Sequence, residues 1–519
     1  MTAERKPGDA ARRYLRVAEH QPTAAVLATD WRSMPPSVKR YPPGEAVALG
    51  MDVLGRILHD SYGLTRYRWD SLSAVLSQRV SGMAVGRSLR PVASGGGLFP
   101  SEIYLVAGPE PTPGRDRAAG VLHYDPAAHA LDPVRTGDWR RFVAEALHEP
   151  ARPEPAELYL VITTIFARTA FKYQEFGYRL QCLDSGVLTG QLLTMMEAAG
   201  LVGEVSLRFS DEDLTRLLGV NPDSEAVLVV IGVRPGAGCA AGPPPDNGRH
   251  RLADSPVRQP SSRTRPIGVL HTVPLTRDLH RSARAAADPA AALPPPLAAV
   301  PTVGPGAESH PLPHSAAPLP AGLPRRRSLD GRFGYAALTL FQLAGLLRAT
   351  YRWAGSPPAG SGLDHVRLCC VVHRVTGLQP GMYVYEPDTH QVTPVRQTDL
   401  RVAMTQPDIA DARFTGDHGA GAVVVPVGDY EAGFRTIGDR WFQMQNVPAG
   451  IVVQRTTLAA AALGLDCRIL CAYETDHLAE ALGFGDGPLR PLCQVLVGSP
   501  GSETGYDQLF PDPGGDRDS

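Results

Sequence analysis

The chain has 519 residues, with 51 Lys and Arg against 53 Asp and Glu, a formal net charge of −2. That balance gives no electrostatic case for nucleic acid or an anionic membrane, and no run of about 18 apolar residues is present to span a bilayer. The length accommodates two or three domains, and the start has no apolar core of a signal peptide, so a cytoplasmic location is expected.

Residues 1–45 read as an amino-terminal arm. Its Pro-rich stretch, residues 30–42, either wraps another part of the molecule or stays a loosely ordered terminus. A helix is expected to include Leu58 and Tyr62. The segment 90–104 reads Arg-Pro-Val-Ala-Ser-Gly-Gly-Gly-Leu-Phe-Pro-Ser-Glu-Ile-Tyr and runs into a strand-like stretch. Three glycines let backbone N–H groups approach a flat or anionic ligand with no Cβ in the way, although many such loops are plain turns. Residues 120–135 read as a β-hairpin with its turn at Asp125-Pro126. Residues 171–179 place Lys172 beside Tyr173 and lead through Asp184-Ser185-Gly186 into an apolar helix. An amphipathic helix containing Leu214 and a final strand, residues 227–232, close this region.

Residues 237–324 are rich in Pro, Ala, Gly, Ser and Arg and read as a flexible or polyproline-like linker. A second unit, 325–500, opens on Arg325-Arg326-Arg327-Ser328-Leu329-Asp330-Gly331-Arg332-Phe333, and 501–519 form a tail. Seven scattered cysteines, without paired C-x-x-C units, read as buried free thiols, and no metal site is expected.

The two units repeat one another. Gly120-Val121-Leu122-His123-Tyr124-Asp125-Pro126 returns as Gly381-Met382-Tyr383-Val384-Tyr385-Glu386-Pro387, a shift of 261, which also carries His129 onto His390. Glu197-Ala198-Ala199-Gly200-Leu201 returns as Ala461-Ala462-Leu463-Gly464-Leu465, a shift of 264, which carries Leu214 and Gly219 onto Leu478 and Gly483. Each unit, 46–236 and 325–500, therefore runs helices, hairpin, long helix, amphipathic helix and final strand. That order predicts an α+β fold with a mostly antiparallel sheet, duplicated in tandem.

The glycine segment resembles the flavin loop of the SagB-type dehydrogenases, FMN-dependent nitroreductase-like enzymes that oxidise thiazolines and oxazolines in ribosomal peptides. The family pattern is Arg-x-x-Pro-Ser-Gly-Gly-x-Leu-Tyr-Pro-x-Glu-x-Tyr; here Ala93 stands for the Pro and Phe99 for the Tyr. The resemblance covers residues 30–235 well and 325–500 loosely. It implies a nitroreductase-like fold with helix-flanked sheets, an intrachain pseudo-dimer, FMN as cofactor, an azoline-containing precursor peptide as substrate and a cyclodehydratase as partner.

The resemblance also assigns roles. Ser94, Gly95, Gly96 and Gly97 offer backbone amides to the flavin ring, and Arg90 either supports the phosphate or pins the loop. Arg326, Arg327, Ser328 and Arg332 resemble the Arg-Arg-Ser-x-Arg-x-Phe phosphate motif of nitroreductases, with two extra residues before Arg332; guanidinium forks suit phosphate oxygens. The bland reading is a basic linker end. Lys172 and Tyr173 match the family's Lys-Tyr pair and become catalytic candidates, against a reading in which one is solvated and the other packs.

The units differ. Phe434-Arg435-Thr436 replaces Phe171-Lys172-Tyr173. Tyr62 and Leu98 are 36 residues apart, but Tyr351 and Leu363 only 12, leaving Gly360-Ser361-Gly362 of the loop. The first unit's nearest basic pair is Lys39-Arg40. Nitroreductase-like dimers take arginines from one subunit and the loop from the other. One composite FMN site per chain is therefore expected, with Pro448, Ala449 and Gly450 lining it under the ring. Competing readings are an NAD(P)H-dependent nitro or flavin reductase, and a non-catalytic scaffold for a cyclodehydratase complex.

Overall fold

The computed structural model describes residues 6–18, 29, 33–70, 86–112, 115–117, 119–148, 154–236, 251–285, 291–297, 300, 308–329, 331–351, 360–404, 419–501 and 505–510. Runs dense in β-branched and apolar residues form the strands. Those covered on both faces, such as Leu158–Ile165 and Ala422–Asp429, are almost wholly buried. The first sheet has seven strands in the spatial order Val47–Ala48, Ala130–Thr136, Gly120–Asp125, Ser101–Ala107, Leu158–Ile165, Glu225–Pro235, Leu201–Ser206. The second repeats this order: His310–Pro311, Gln391–Arg396, Gly381–Glu386, Arg367–Val372, Ala422–Asp429, Gln494–Gly498, Asp466–Leu470, with Leu489–Pro491 also paired to Ala422–Asp429. Neighbouring strands are antiparallel throughout, and Tyr104 sits between Val161 and His123. The duplication reaches single residues. His129 and His390 both take a left-handed backbone, φ 47° and 51°. Each ring Nδ1 meets a tyrosine hydroxyl, Tyr124 at 3.0 Å and Tyr385 at 2.9 Å.

Two long helices, Gly177–Ala198 and Trp441–Ala462, run through the middle of the molecule. Neither has a face for solvent: residues 177–196 of the first and 441–461 of the second are buried, their polar side chains included. They cross at Gly186 and Gly450, where a Cβ on either glycine would collide with the other helix's backbone, at Val447 and Leu183 respectively. The two units thus share one core along this crossing, with Leu183 and Val187 facing Val447 and Ile451 in a single cluster.

The spacer departs from the flexible linker expected of its composition. Within it, Leu275, Leu279 and Ala283 recur at helical spacing, and Pro274–Ala285 forms a helix that buries Leu279, His280 and Ala283. Its first turn is capped by the Glu175 carboxylate, which accepts from the Leu275 and Thr276 amides at 2.9 and 2.8 Å. The amino-terminal helix, Asp9–Ala18, lies across both units. Tyr14 donates to the Glu175 carbonyl at 2.7 Å, while Asp439 accepts from the Ala11 amide at 2.7 Å. A third sheet pairs Arg66–Asp70 with Gly86–Leu89 and with Gly505–Leu509. The extra residues ahead of the first glycine loop therefore include two strands, and the tail supplies their partner. Among the described residues no helix is long and apolar enough to cross a membrane. Six cysteines are unbridged, five of them buried and Cys471 half-buried; Cys239 lies outside the described residues.

Candidate active site

The Ser94–Gly97 turn is built from backbone. Gly96 and Gly97 adopt φ of 66° and 68°, two successive left-handed residues that suit only glycine. The turn closes on itself: the Gly97 amide donates to the Ser94 carbonyl at 3.0 Å and the Phe99 amide to Ser94 Oγ at 2.9 Å. The carboxyl of Asp184, in the first long helix, accepts from Ser94 Oγ at 2.6 Å and from the Gly95 amide at 3.1 Å. Burial pushes Asp184 up to about 7, against the pull of those two donors. Arg90 is buried with its guanidinium 4.0 Å from the Tyr62 ring centre and 5.2 Å from that of Phe99, and it donates to the Ser37 carbonyl. It pins the loop. Arg168 holds the next turn, donating to the carbonyls of Phe99 at 3.1 Å and Pro36 at 3.0 Å and pairing with Glu102 at 2.6 Å. Burial opposes ionisation of Glu102, but Arg168 and His123 outweigh it and hold this carboxylate at about 2.

The helix Ala167–Tyr173 delivers the Lys-Tyr pair, and the chain breaks after it at Gln174, whose φ is 48°. Both side chains are half-buried. They converge on the loop: a Cβ placed on Gly96 would lie 2.5 Å from Tyr173 Oη and 2.9 Å from Lys172 Nζ. Lys172 Nζ stands 4.9 Å from the centre of the Tyr173 ring.

The second unit brings the arginines. Arg326 is 7% exposed, and among the described residues its guanidinium has no carboxylate partner; its Nε is buried without an acceptor. Burial pushes it down to about 10, with repulsion from Arg66 adding to the effect. Arg66 and Arg68 share Asp507, each at 3.2 Å, and Arg66 also donates to the Pro324 carbonyl. Arg327 pairs with Asp466 at 3.5 Å. Arg66, Arg68, Arg326 and Arg327 thus gather around Asp507 and Asp466, and guanidinium forks of this kind suit phosphate oxygens. Arg66 and Arg68 escaped sequence reading, although their period-two spacing places them on one face of a strand. Ser328 and Arg332 are exposed, and the Arg332 carbonyl packs against Gly501.

The second long helix links arginines and loop. Gly322, just before the arginines, packs on the Leu458 carbonyl. One turn away, Gln454 Oε1 accepts from the Ala93 amide at 3.4 Å and Gln454 Nε2 donates to Gln191 at 2.7 Å. Of this helix, Gln454 is the residue that bonds the loop segment, at Ala93. Six residues of helix turn it and Pro448 to different faces. Pro448 meets Gly362, Ala449 is fully buried and Gly450 forms the helix crossing.

The reciprocal position is built differently. Gly360 packs on the Val205 carbonyl. Arg440 is buried, forming an ion pair with Asp211 and donating to the Leu207 carbonyl at 3.1 Å. Arg435 and Thr436, in place of Lys172 and Tyr173, are exposed. The amino-terminal helix is fastened over this region by Arg12, which bonds Glu431 at 2.8–3.1 Å. Lys39 is sealed in an ion pair with Glu225 at 2.6 Å and a bond to Tyr104.

The sequence pattern of the nitroreductase family matches residues 63–236 and, a second time, 325–499. The microcin B17-processing protein McbC of Escherichia coli is 28% identical over 149 residues, 28% of this chain and 54% of that protein, so the match spans about half of the relative. A crystal structure from Anabaena variabilis, described as a nitroreductase, superposes with a TM-score of 0.73 at 22% identity, covering 96% of this chain and 100% of that one. The Escherichia coli microcin synthetase McbBCD complex with truncated pro-MccB17 bound gives a TM-score of 0.28 at 22% identity, over 38% of this chain and 68% of that one. The chain belongs to the nitroreductase family, and carries two copies of its fold in one polypeptide.

Proposed function

We propose that this oxidoreductase is an FMN-dependent dehydrogenase that oxidises thiazoline or oxazoline rings in a ribosomally made precursor peptide to thiazoles or oxazoles, with one FMN per chain. The observation that carries this reading is the convergence of Lys172 Nζ and Tyr173 Oη on Gly96, a pair and a loop that resemble those of the SagB-type dehydrogenases. The Escherichia coli relative is a microcin B17-processing protein, which supports a peptide substrate. A cyclodehydratase, which forms azolines from Cys, Ser or Thr, is the proposed partner.

Arg326, with Arg66 and Arg327, would hold the FMN phosphate, and the Ser94–Gly97 turn and Gln454 would border the ring. When bound, FMN supplies the hydride acceptor. Turning an azoline into an azole removes a proton from the ring's α-carbon and a hydride from the adjacent CH₂, leaving a C=C bond. Tyr173 as phenolate, or Lys172 as neutral amine, takes the proton. A cationic Lys172 beside the Tyr173 ring favours the phenolate, so the two act as a coupled pair. Arg90, Arg168 and Asp184 keep the loop in place beneath them. The buried Arg440–Asp211 pair and the exposed Arg435 and Thr436 support a single working site.

The test is to incubate the purified chain and FMN, in air, with a peptide carrying a synthetic thiazoline. Mass spectrometry should show the loss of two hydrogens per ring. Rapid NADPH oxidation with no change in the peptide would favour a nitro or flavin reductase, and a protein that takes up no flavin would favour the scaffold.

A further inference from the structure

Asp184 neither touches the arginine cluster nor belongs to the Lys172–Tyr173 pair. It lies buried in the first long helix, and its counterpart 264 positions on is Pro448. Its carboxylate closes a chain of bonds: the Phe99 amide donates to Ser94 Oγ, Ser94 Oγ–H donates to Asp184 Oδ2 at 2.6 Å, and the Gly95 amide donates to Asp184 Oδ1 at 3.1 Å. The turn it grips holds three glycines, and besides its own Gly97–Ser94 and Phe99–Ser94 bonds it is held by Asp184. Asp184 supplies two acceptor oxygens, one for Ser94 Oγ–H and one for the Gly95 amide, and so ties both to the first long helix. In the second unit the proline has no acceptor to offer, and it packs against Gly362 of the shortened loop. The unit that keeps the full loop also keeps the carboxylate.

From this geometry we propose that Asp184 is a positioning residue of the flavin site: through Ser94 and the Gly95 amide it holds the Gly95–Gly97 turn in the shape on which Lys172 and Tyr173 converge. The inference rests on the flavin reading of the site given above.

Asp184→Asn, Asp184→Leu and Ser94→Ala, made in the full chain, test it. Asn keeps one acceptor oxygen, whereas Leu leaves the Ser94 hydroxyl and the Gly95 amide buried without one. Two readouts are needed: FMN affinity by fluorescence titration, and amide hydrogen exchange of the 91–100 segment without flavin. Asp184→Leu should weaken FMN about tenfold or more and speed exchange of the loop, with the Asn variant restoring most of both. Ser94→Ala leaves the helix untouched, so it should loosen the loop even if the Leu variant does not fold. Unchanged FMN affinity and unchanged loop exchange in folded Asp184→Leu, or in Ser94→Ala if the Leu variant fails to fold, would overturn the proposal. A wild-type chain that binds no FMN would refute the flavin reading, and the exchange comparison would still decide the clamp.

Discussion

Replacing Arg326 by Met separates two effects of opposite sign. Without flavin, the guanidinium is buried with no carboxylate partner among the described residues, and its pKa is pushed down to about 10. That depression disfavours the charged form by about 3 kcal/mol, and local relaxation and water penetration reduce the figure. Met fills a similar volume without the charge. The variant without FMN should therefore be more stable than wild type by about 1–3 kcal/mol, a Tm higher by a few degrees. With FMN an opposing effect enters. Charge-assisted hydrogen bonds contribute about 1.5–3 kcal/mol each, so loss of one should raise the Kd roughly 10- to 100-fold. At an FMN concentration of about 100 times the wild-type Kd, wild type gains about 2.7 kcal/mol and a hundredfold weaker variant about 0.4. In thermal melts of both proteins the variant should be higher without FMN, and its rise on adding FMN should be smaller than the wild type's, by about 2.3 kcal/mol for a hundredfold loss of affinity. An Arg326→Met protein that binds FMN with wild-type affinity would refute the assignment of the phosphate to this cluster.

Lys172→Ala and Tyr173→Phe should keep FMN bound while azoline oxidation falls by about 10²- to 10⁴-fold; full activity in both would remove them from the chemistry. Gly96→Ala places a methyl 2.5 Å from Tyr173 Oη on a residue at φ 66°, whereas in Gly95→Ala the new methyl meets a Leu180 methyl at 3.0 Å that is able to move. The first should cost about 1–3 kcal/mol and most of the turnover, the second much less of either, and equal losses would contradict the convergence at Gly96. The carboxyl of Asp184 is raised to about 7, far above an unfolded aspartate near ~3.9. Across that window the folded chain holds a proton that the unfolded chain has released, so stability falls as pH rises from about 4 to 7 and levels above it. Tyr62, close enough to couple to Asp184, is pushed up to about 12 by burial and stays neutral there. Asp184→Asn should flatten that slope in urea melts taken across the window, and an unchanged slope would contradict the assignment.

The duplication was legible because it lies in short-range pattern. The hairpins at Gly120–Asp125 and Gly381–Glu386 and the two long helices occupy equivalent places in the two units. The glycine turn and Lys172–Tyr173 were legible as a family resemblance, and the structure brings them within contact of each other. What escaped was fixed by long-range contact. Pro448 and Gln454 share one helix, and only the crossing at Gly186 and Gly450 decides which of them reaches the loop. Asp184 is one of several polar residues on the first long helix, with Gln181, Ser185 and Gln191, and nothing singles it out until its neighbours at Ser94 and Gly95 are known. The spacer misled through composition, since its prolines outweighed the short apolar stripe of Leu275, Leu279 and Ala283. Arg66 and Arg68 become part of a cationic cluster only when the tail strand Gly505–Leu509 pairs beside them.

The central claim is one flavin site, assembled from the loop and Lys-Tyr pair of the first unit and the arginines of the second. It is tested most directly by saturating the chain with FMN, removing the excess, and counting the flavin released on heat denaturation against polypeptide. One FMN per chain is the predicted result, falling well below one in Arg326→Met under the same conditions. Two FMN per chain, or none, would contradict the account.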